Sequence, residues 1–60
     1  MSTYTERELR ENARYLKKRI RKNKGRPQPG YQLRIVGGQV ALSVEYIDRD
    51  GMGNIENMAL

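Results

Sequence analysis

The residues with the clearest chemical potential are cations in the first half of the chain. Eight Lys or Arg side chains lie from Arg14 to Arg26, and no Asp or Glu occurs between Asn12 and Val44. Since about two or three cations suffice to complement the end of a helix dipole, this density indicates a surface that neutralises phosphates. The alternative is a solvated helix face that serves solubility. The residues predicted to bind nucleic acid or an acidic partner are Arg14, Lys17, Lys18, Arg21, Lys22, Lys24 and Arg26.

An aromatic side chain lies within the same region. Tyr15 falls outside the apolar positions of the predicted helix and beside its cations. An exposed tyrosine among cations can stack on a base or anchor a protein interface. The alternative is a ring that widens the buried edge of the helix.

Catalytic and metal chemistry find little support in the composition. The chain has no His and no Cys, so a zinc site or an activated nucleophile lacks its usual residues. The stretch DRDGMGNIE, residues 48–56, places Asp48, Asp50 and Gly53 as a calcium-binding EF-hand loop would, but Ala59 stands where a bidentate Glu is required. We therefore expect a non-enzymatic protein without cofactor or metal, and a hairpin turn at 48–51.

Length and charge narrow the function classes. Sixty residues make one small domain, 1–60, whose core is too small for comfortable stability without tight packing, self-association or a partner. The net charge of +5 divides into +8 for residues 1–34 and −3 for residues 35–60. No apolar run is long enough for a membrane span or a signal peptide. We expect a cytoplasmic protein that contacts nucleic acid or a nucleic-acid-handling complex and no membrane, with a homodimer as a further option.

The cations require a helix to position them. Thr5 and Glu8 form a capping box at its start, and Gly25 and Pro27 punctuate its end, which predicts a helix over about 5–24 and a Gly/Pro loop over 25–30. The apolar positions form one narrow stripe, which favours packing on a sheet over a coiled coil. This stripe comprises Leu9, Ala13, Leu16 and Ile20.

The sheet is predicted from a hairpin over 31–47. Gly37-Gly38 lies between two runs of alternating apolar residues, which is typical of a two-residue primed turn. The register that follows aligns the apolar residues on one face, which we predict to be the core, and leaves the other face to solvent or a partner. The cross-strand pairs predicted by this register are Val36 with Gln39, Ile35 with Val40, Leu33 with Leu42, and Tyr31 with Val44.

The last residues are too apolar for a free tail. For 52–60 we expect a third strand or a docked extension. The predicted fold is therefore α+β, with an N-terminal helix packed on an antiparallel hairpin or a three-stranded sheet.

Two short stretches resemble known DNA-binding elements. KGRP, Lys24 to Pro27, resembles the core of the AT-hook, which lies in A·T-rich minor grooves. Lys24 stands where the hook usually has Arg, and Gln28 and Pro29 replace the basic residues that normally follow, so a helix stop and a stiff turn are favoured here.

The YxDxDG stretch, Tyr46 to Gly51, resembles a hairpin in the small arm-binding domains of phage-type integrases. Those domains have a three-stranded sheet with one helix, and there the helix follows the sheet.

Two functions are therefore predicted. The first is a small DNA- or RNA-binding accessory protein that contacts the phosphate backbone through its helix. The second is an inhibitor or adaptor that docks on a larger protein or ribonucleoprotein machine, since a compact, basic, non-catalytic chain is similar to many phage or mobile-element accessory proteins, anti-CRISPR proteins among them. In that case the apolar segment 52–60 is expected to act as an anchor.

Overall fold

The helix has well-formed ends. The computed structural model describes residues 4–60, so the first three residues of the expected 1–60 domain lie outside it. Helix α1 spans Glu6–Lys22, and the Glu8 amide donates to the Thr5 hydroxyl at 3.1 Å. The Thr5 hydroxyl in turn donates to the Glu8 carboxylate at 3.2 Å. Glu8 thus contacts the cap through the Thr5 side chain, whereas the predicted capping box has the carboxylate accept from the Thr5 backbone amide. No helix in residues 4–60 is long and apolar enough to cross a membrane.

The helix ends in a Schellman motif in which Lys24, not Gly25, adopts the left-handed conformation. The Gly25 amide donates to the Ile20 carbonyl at 2.9 Å, and the Lys24 amide donates to the Arg21 carbonyl at 3.0 Å. Lys24 has a φ of 68°, a conformation that glycine usually supplies at this position. Gly25 is required for a different reason, because a Cβ there would lie 2.6 Å from Cγ2 of Ile20.

The rest of the chain forms an antiparallel sheet centred on its longest strand. The strands are β1 (Arg26–Pro27), β2 (Gln32–Val36), β3 (Gln39–Ile47) and β4 (Gly53–Ala59). β3 pairs with β1 and β2 along one side and with β4 along the other. One helix on an antiparallel sheet confirms the predicted α+β class, and the segment 52–60 supplies the third strand.

The second half of the KGRP stretch is part of this sheet. Arg26 and Pro27, placed in a loop by the sequence, pair with Ile47 and Tyr46 of β3. Five residue steps from Pro27 to Gln32 then match only three from Tyr46 to Ser43, so the edge carries two extra residues between β1 and β2. Its backbone is thus held against β3, and it does not form the free extended arm that the AT-hook resemblance implies.

The hairpin has the predicted register, with the pairs from Val36–Gln39 to Leu33–Leu42 as expected. Gly37 and Gly38 both have positive φ, at 58° and 80°, which is the primed turn expected from a Gly-Gly pair. The structure begins β2 at Gln32, so Tyr31 lies just before the strand.

The core is smaller than the hairpin pattern predicts. Leu33, Ile35 and Val40 share the helix side of the sheet, yet they are 52, 70 and 46% exposed. Helix α1 packs on β3, β1 and β4 and has no close backbone approach to β2 within residues 4–60. The helix reaches this edge of the sheet at β1, which pairs with Tyr46 and Ile47 at the far end of β3, so the end of the edge formed by β2 stays open. The buried apolar cluster is Ala13, Leu16, Ile20, Leu42 and Val44, with Leu9, Tyr31, Tyr46, Met58 and Leu60 packed around it.

The opposite sheet face is also only partly as predicted. Ala41 and Ser43 were expected to face solvent or a partner, but they are 3 and 1% exposed. Both are small side chains on the central strand, with paired residues on β2 and on β4. The Ser43 hydroxyl donates to the Asn57 side-chain oxygen at 2.6 Å, which satisfies its hydrogen bonding without a covering layer.

The turn between β3 and β4 is organised by one carboxylate. Oδ1 of Asp48 accepts hydrogen bonds from the amides of Asp50 and Met52 at 2.9 Å, and Oδ2 accepts from the Asn54 side chain at 2.7 Å. This is an Asx-type turn, flanked by strands on both sides. Within residues 4–60 there is no group of three acidic, His or Cys side chains placed to hold a metal ion.

Candidate nucleic-acid interface

Helix α1 carries two rows of cations outside its buried stripe. Arg14, Lys17 and Arg21 recur at intervals of three and four and share one flank, while Lys18 and Lys22 lie four apart on the outward side. All are exposed except Lys17, which is half-buried. A long lysine stem can lie along apolar surface while its ammonium group stays in water. The burial of Ala13, Leu16 and Ile20 on the sheet therefore directs both rows away from the core.

The first row borders a groove between the helix and the loop that precedes β2. The wall on the helix side is cationic, and Gly30 and Tyr31 form the other side. Because Tyr31 also packs against the core cluster, this side is anchored to the fold. The helix residues that line the groove are Glu6, Arg10, Ala13, Arg14, Lys17 and Arg21.

The second row borders a shallow hollow around Tyr15. The ring is 57% exposed, and the hollow is lined by Tyr15 with Lys18, Arg19, Arg21 and Lys22. An aromatic face beside long cations combines a stacking surface with contacts for phosphate. The structure thus places Tyr15 outside the core, which removes the alternative of a buried-edge tyrosine.

The salt bridge found within residues 4–60 lies at the N-terminal end of the groove, beside the first row. Arg10 contacts Glu6 at 3.2 Å, and both side chains are largely exposed. The nearest acids to the two rows in the chain, Glu11 and Glu45, form no salt bridge with them. Like charges four residues apart repel on a helix surface, as Lys17–Arg21 and Lys18–Lys22 do here. A polyanion on this face therefore relieves a repulsion that the free protein carries.

Two of the predicted residues lie off the helix. Lys24 belongs to the helix C-terminal motif, and Arg26 begins β1. Both are exposed and continue the positive surface past the end of α1. The groove side formed by Gly30 and Tyr31 was missed from the sequence, because these residues are brought beside Arg14 only by the packing of the loop.

Comparisons with protein-family models, curated proteins and solved structures find no match to this chain. The functional argument therefore rests on the geometry and charge of the surface itself.

Proposed function

We propose that the protein is a small non-enzymatic nucleic-acid-binding protein that contacts the phosphate backbone through α1. The observation that carries the proposal is the set of five cations on the solvent side of one helix without an acidic partner in residues 4–60. These are Arg14, Lys17, Lys18, Arg21 and Lys22.

The chemistry of this surface suits phosphate groups more than base edges. Lysine and arginine release condensed counterions when they meet phosphates, and this term supplies nearly all non-specific affinity. Five contacts to duplex DNA give a slope of log K against log salt of about −4.5. The interaction is therefore expected to weaken steeply as salt is added.

The test is fluorescence-anisotropy binding to labelled duplex DNA, single-stranded DNA and RNA across a salt series. The test variant replaces Lys18 and Lys22 with Gln, and the control variant replaces Arg7 and Arg49, which lie outside both rows and outside the groove, with Gln. Both variants lose the same net charge, so a difference between them reports position rather than total charge.

We expect the test variant to bind more than about tenfold more weakly, with a salt slope shallower by about 2. The control variant should stay much closer to the parent protein. Equal losses in the two variants would mean that only net charge attracts the nucleic acid. No binding by the parent protein at low salt would overturn the proposal.

A second candidate function is docking on a larger protein machine as an inhibitor or adaptor. The observation that favours it is the exposure of Met52 and Ile55, at 64 and 41%, in the segment expected to act as an anchor. Met58 and Leu60 of that segment pack against the core instead. Because apolar anchors dominate protein interfaces, Met52→Ser with Ile55→Ser should abolish this docking and leave nucleic-acid binding unchanged.

A further inference from the structure

We propose that the protein self-associates into a two-fold symmetric dimer through the open edge of β2, which joins two sheets into one. The partner is a second copy of this chain. This inference is independent of the proposed nucleic-acid binding, because it uses the sheet edge and not α1.

The backbone groups of β2 that face outward belong to its exposed apolar residues. The Val40 carbonyl accepts from the Leu60 amide at 3.1 Å, so the backbone of Val40 points toward β4 and away from its β2 partner, Ile35. Since hydrogen-bonded and non-hydrogen-bonded pairs alternate along an antiparallel ladder, Leu33 and Ile35 direct their N–H and C=O groups away from β3. All five residues of β2 are exposed.

The spacing of these residues is self-complementary. In an antiparallel pair of β2 strands centred on Arg34, Leu33 of each copy lies opposite Ile35 of the other. Each such pair exchanges two backbone hydrogen bonds, so the dimer gains about four. The same pairing sets the Leu33 and Ile35 side chains, exposed in the single chain at 52 and 70%, beside one another on the helix side of the sheet.

A second copy would also add apolar burial to a chain whose hydrophobic core is small. The buried apolar set among residues 4–60 contains six residues, of which two are alanines, and chains of this size usually need a further source of burial. The exposed edge strand carries no Pro and no inward-facing charge that would block pairing. A two-fold axis perpendicular to the sheet keeps both copies of α1 on the same face.

The proposed pairing brings like charges together, and this repulsion predicts how the dimer responds to salt. Arg34 of each copy lies opposite Arg34 of the other on the face without a helix, and each copy has a net charge of +5. Like charges directly opposite across strands destabilise the pair. Added salt screens this repulsion and strengthens the dimer, whereas it weakens nucleic-acid binding. Failure of one proposal is therefore distinguishable from failure of the other.

The experiment is sedimentation equilibrium of the full chain over a range of concentrations at low and high salt. We expect a monomer–dimer equilibrium that tightens with salt, and an Arg34→Gln variant that dimerises about two- to fivefold more tightly. A parent protein that stays monomeric at all concentrations, or whose association weakens with salt, would overturn the proposal.

Ile35→Pro is the decisive variant, because it removes an outward amide and leaves the hydrogen bonds between β2 and β3 in place. It should weaken dimerisation at least about tenfold, while Val40→Thr on the central strand should change it by less than about threefold. Undiminished dimerisation of a folded Ile35→Pro variant would overturn the proposal.

If that variant does not fold, amide hydrogen exchange in the parent protein tests the pairing instead. Protection of Leu33 and Ile35 that rises with concentration supports the pairing, and protection that does not change refutes it.

Discussion

The amide nitrogen of Gly25 donates to the carbonyl oxygen of Ile20 over 2.9 Å, and this hydrogen bond ends α1 directly before strand β1. A Cβ at Gly25 would lie 2.6 Å from Cγ2 of Ile20 and 2.9 Å from Cδ2 of Tyr46. Both distances are shorter than ordinary van der Waals contact. The point where the helix meets the sheet therefore leaves no room for a side chain.

Gly25→Ala should lower the free energy of unfolding by about 1–3 kcal/mol, because the added methyl group overpacks the contact with Ile20 and Tyr46. Urea denaturation followed by circular dichroism measures the change. Gly53→Ala is the control, since no atom lies within 4 Å of a Cβ there, and it should cost less than about 0.5 kcal/mol. Equal costs would contradict the packing argument.

Lys24→Gly should raise the stability by about 0.5–1 kcal/mol. Lys24 has a φ of 68°, and a side chain in the left-handed region costs about 1–2 kcal/mol, partly offset by the greater chain entropy of glycine. Lys18→Gly, at an exposed position inside the helix, should lower stability by about 1 kcal/mol. Thermal unfolding of the two variants should thus give shifts of opposite sign, and shifts of the same sign would refute this account.

Thr5→Ala should lower the stability by about 1 kcal/mol. The Thr5 hydroxyl accepts from the Glu8 amide at 3.1 Å, and loss of such an N-cap leaves a helix donor without its partner. Thr5→Ser keeps the hydroxyl and should remain close to the parent protein. Chemical denaturation of the three proteins compares them, and an Ala variant as stable as the Ser variant would argue against the cap.

Asp48→Ala should lower the stability by about 1–3 kcal/mol, because one carboxylate accepts three hydrogen bonds within the β3–β4 turn. Asp50 takes part in that turn through its backbone amide, so Asp50→Ala should change stability by less than about 0.5 kcal/mol. Unfolding midpoints in urea test the contrast. Similar losses in both variants would point to charge rather than turn geometry.

Tyr15→Ala should weaken binding to single-stranded nucleic acid by about 1–3 kcal/mol and change duplex binding little, because stacking requires an unpaired base. Tyr15→Phe keeps the ring and should bind like the parent protein. Anisotropy titrations with single-stranded and duplex DNA at one salt concentration measure both effects. An equal loss on duplex DNA would show that Tyr15 contributes by another route.

Local signals in the sequence were sufficient to predict the helix and the hairpin of β2 and β3. The Thr5 cap marks the start of the helix, and the Gly37-Gly38 pair determines the turn and, with it, the hairpin register from Val36–Gln39 onward. Helix spacing alone also separates the cations from the buried stripe. These features depend on neighbours within about four residues or on one tight turn, so sequence reasoning reaches them.

Tertiary packing determined which residues of the sheet the helix buries and which it leaves exposed. Strand alternation shows that Leu33 and Ile35 share a face with Leu42, but it does not show that a single helix covers only part of that face. Likewise, the pairing of Arg26-Pro27 with β3 and the placement of Tyr31 beside the cationic helix depend on contacts between distant parts of the chain. The sequence by itself thus determined the charge, the helix and the hairpin. Only the tertiary structure determined the open edge and the groove, because burial depends on where the helix crosses the sheet and not on the alternation of the strand beneath it.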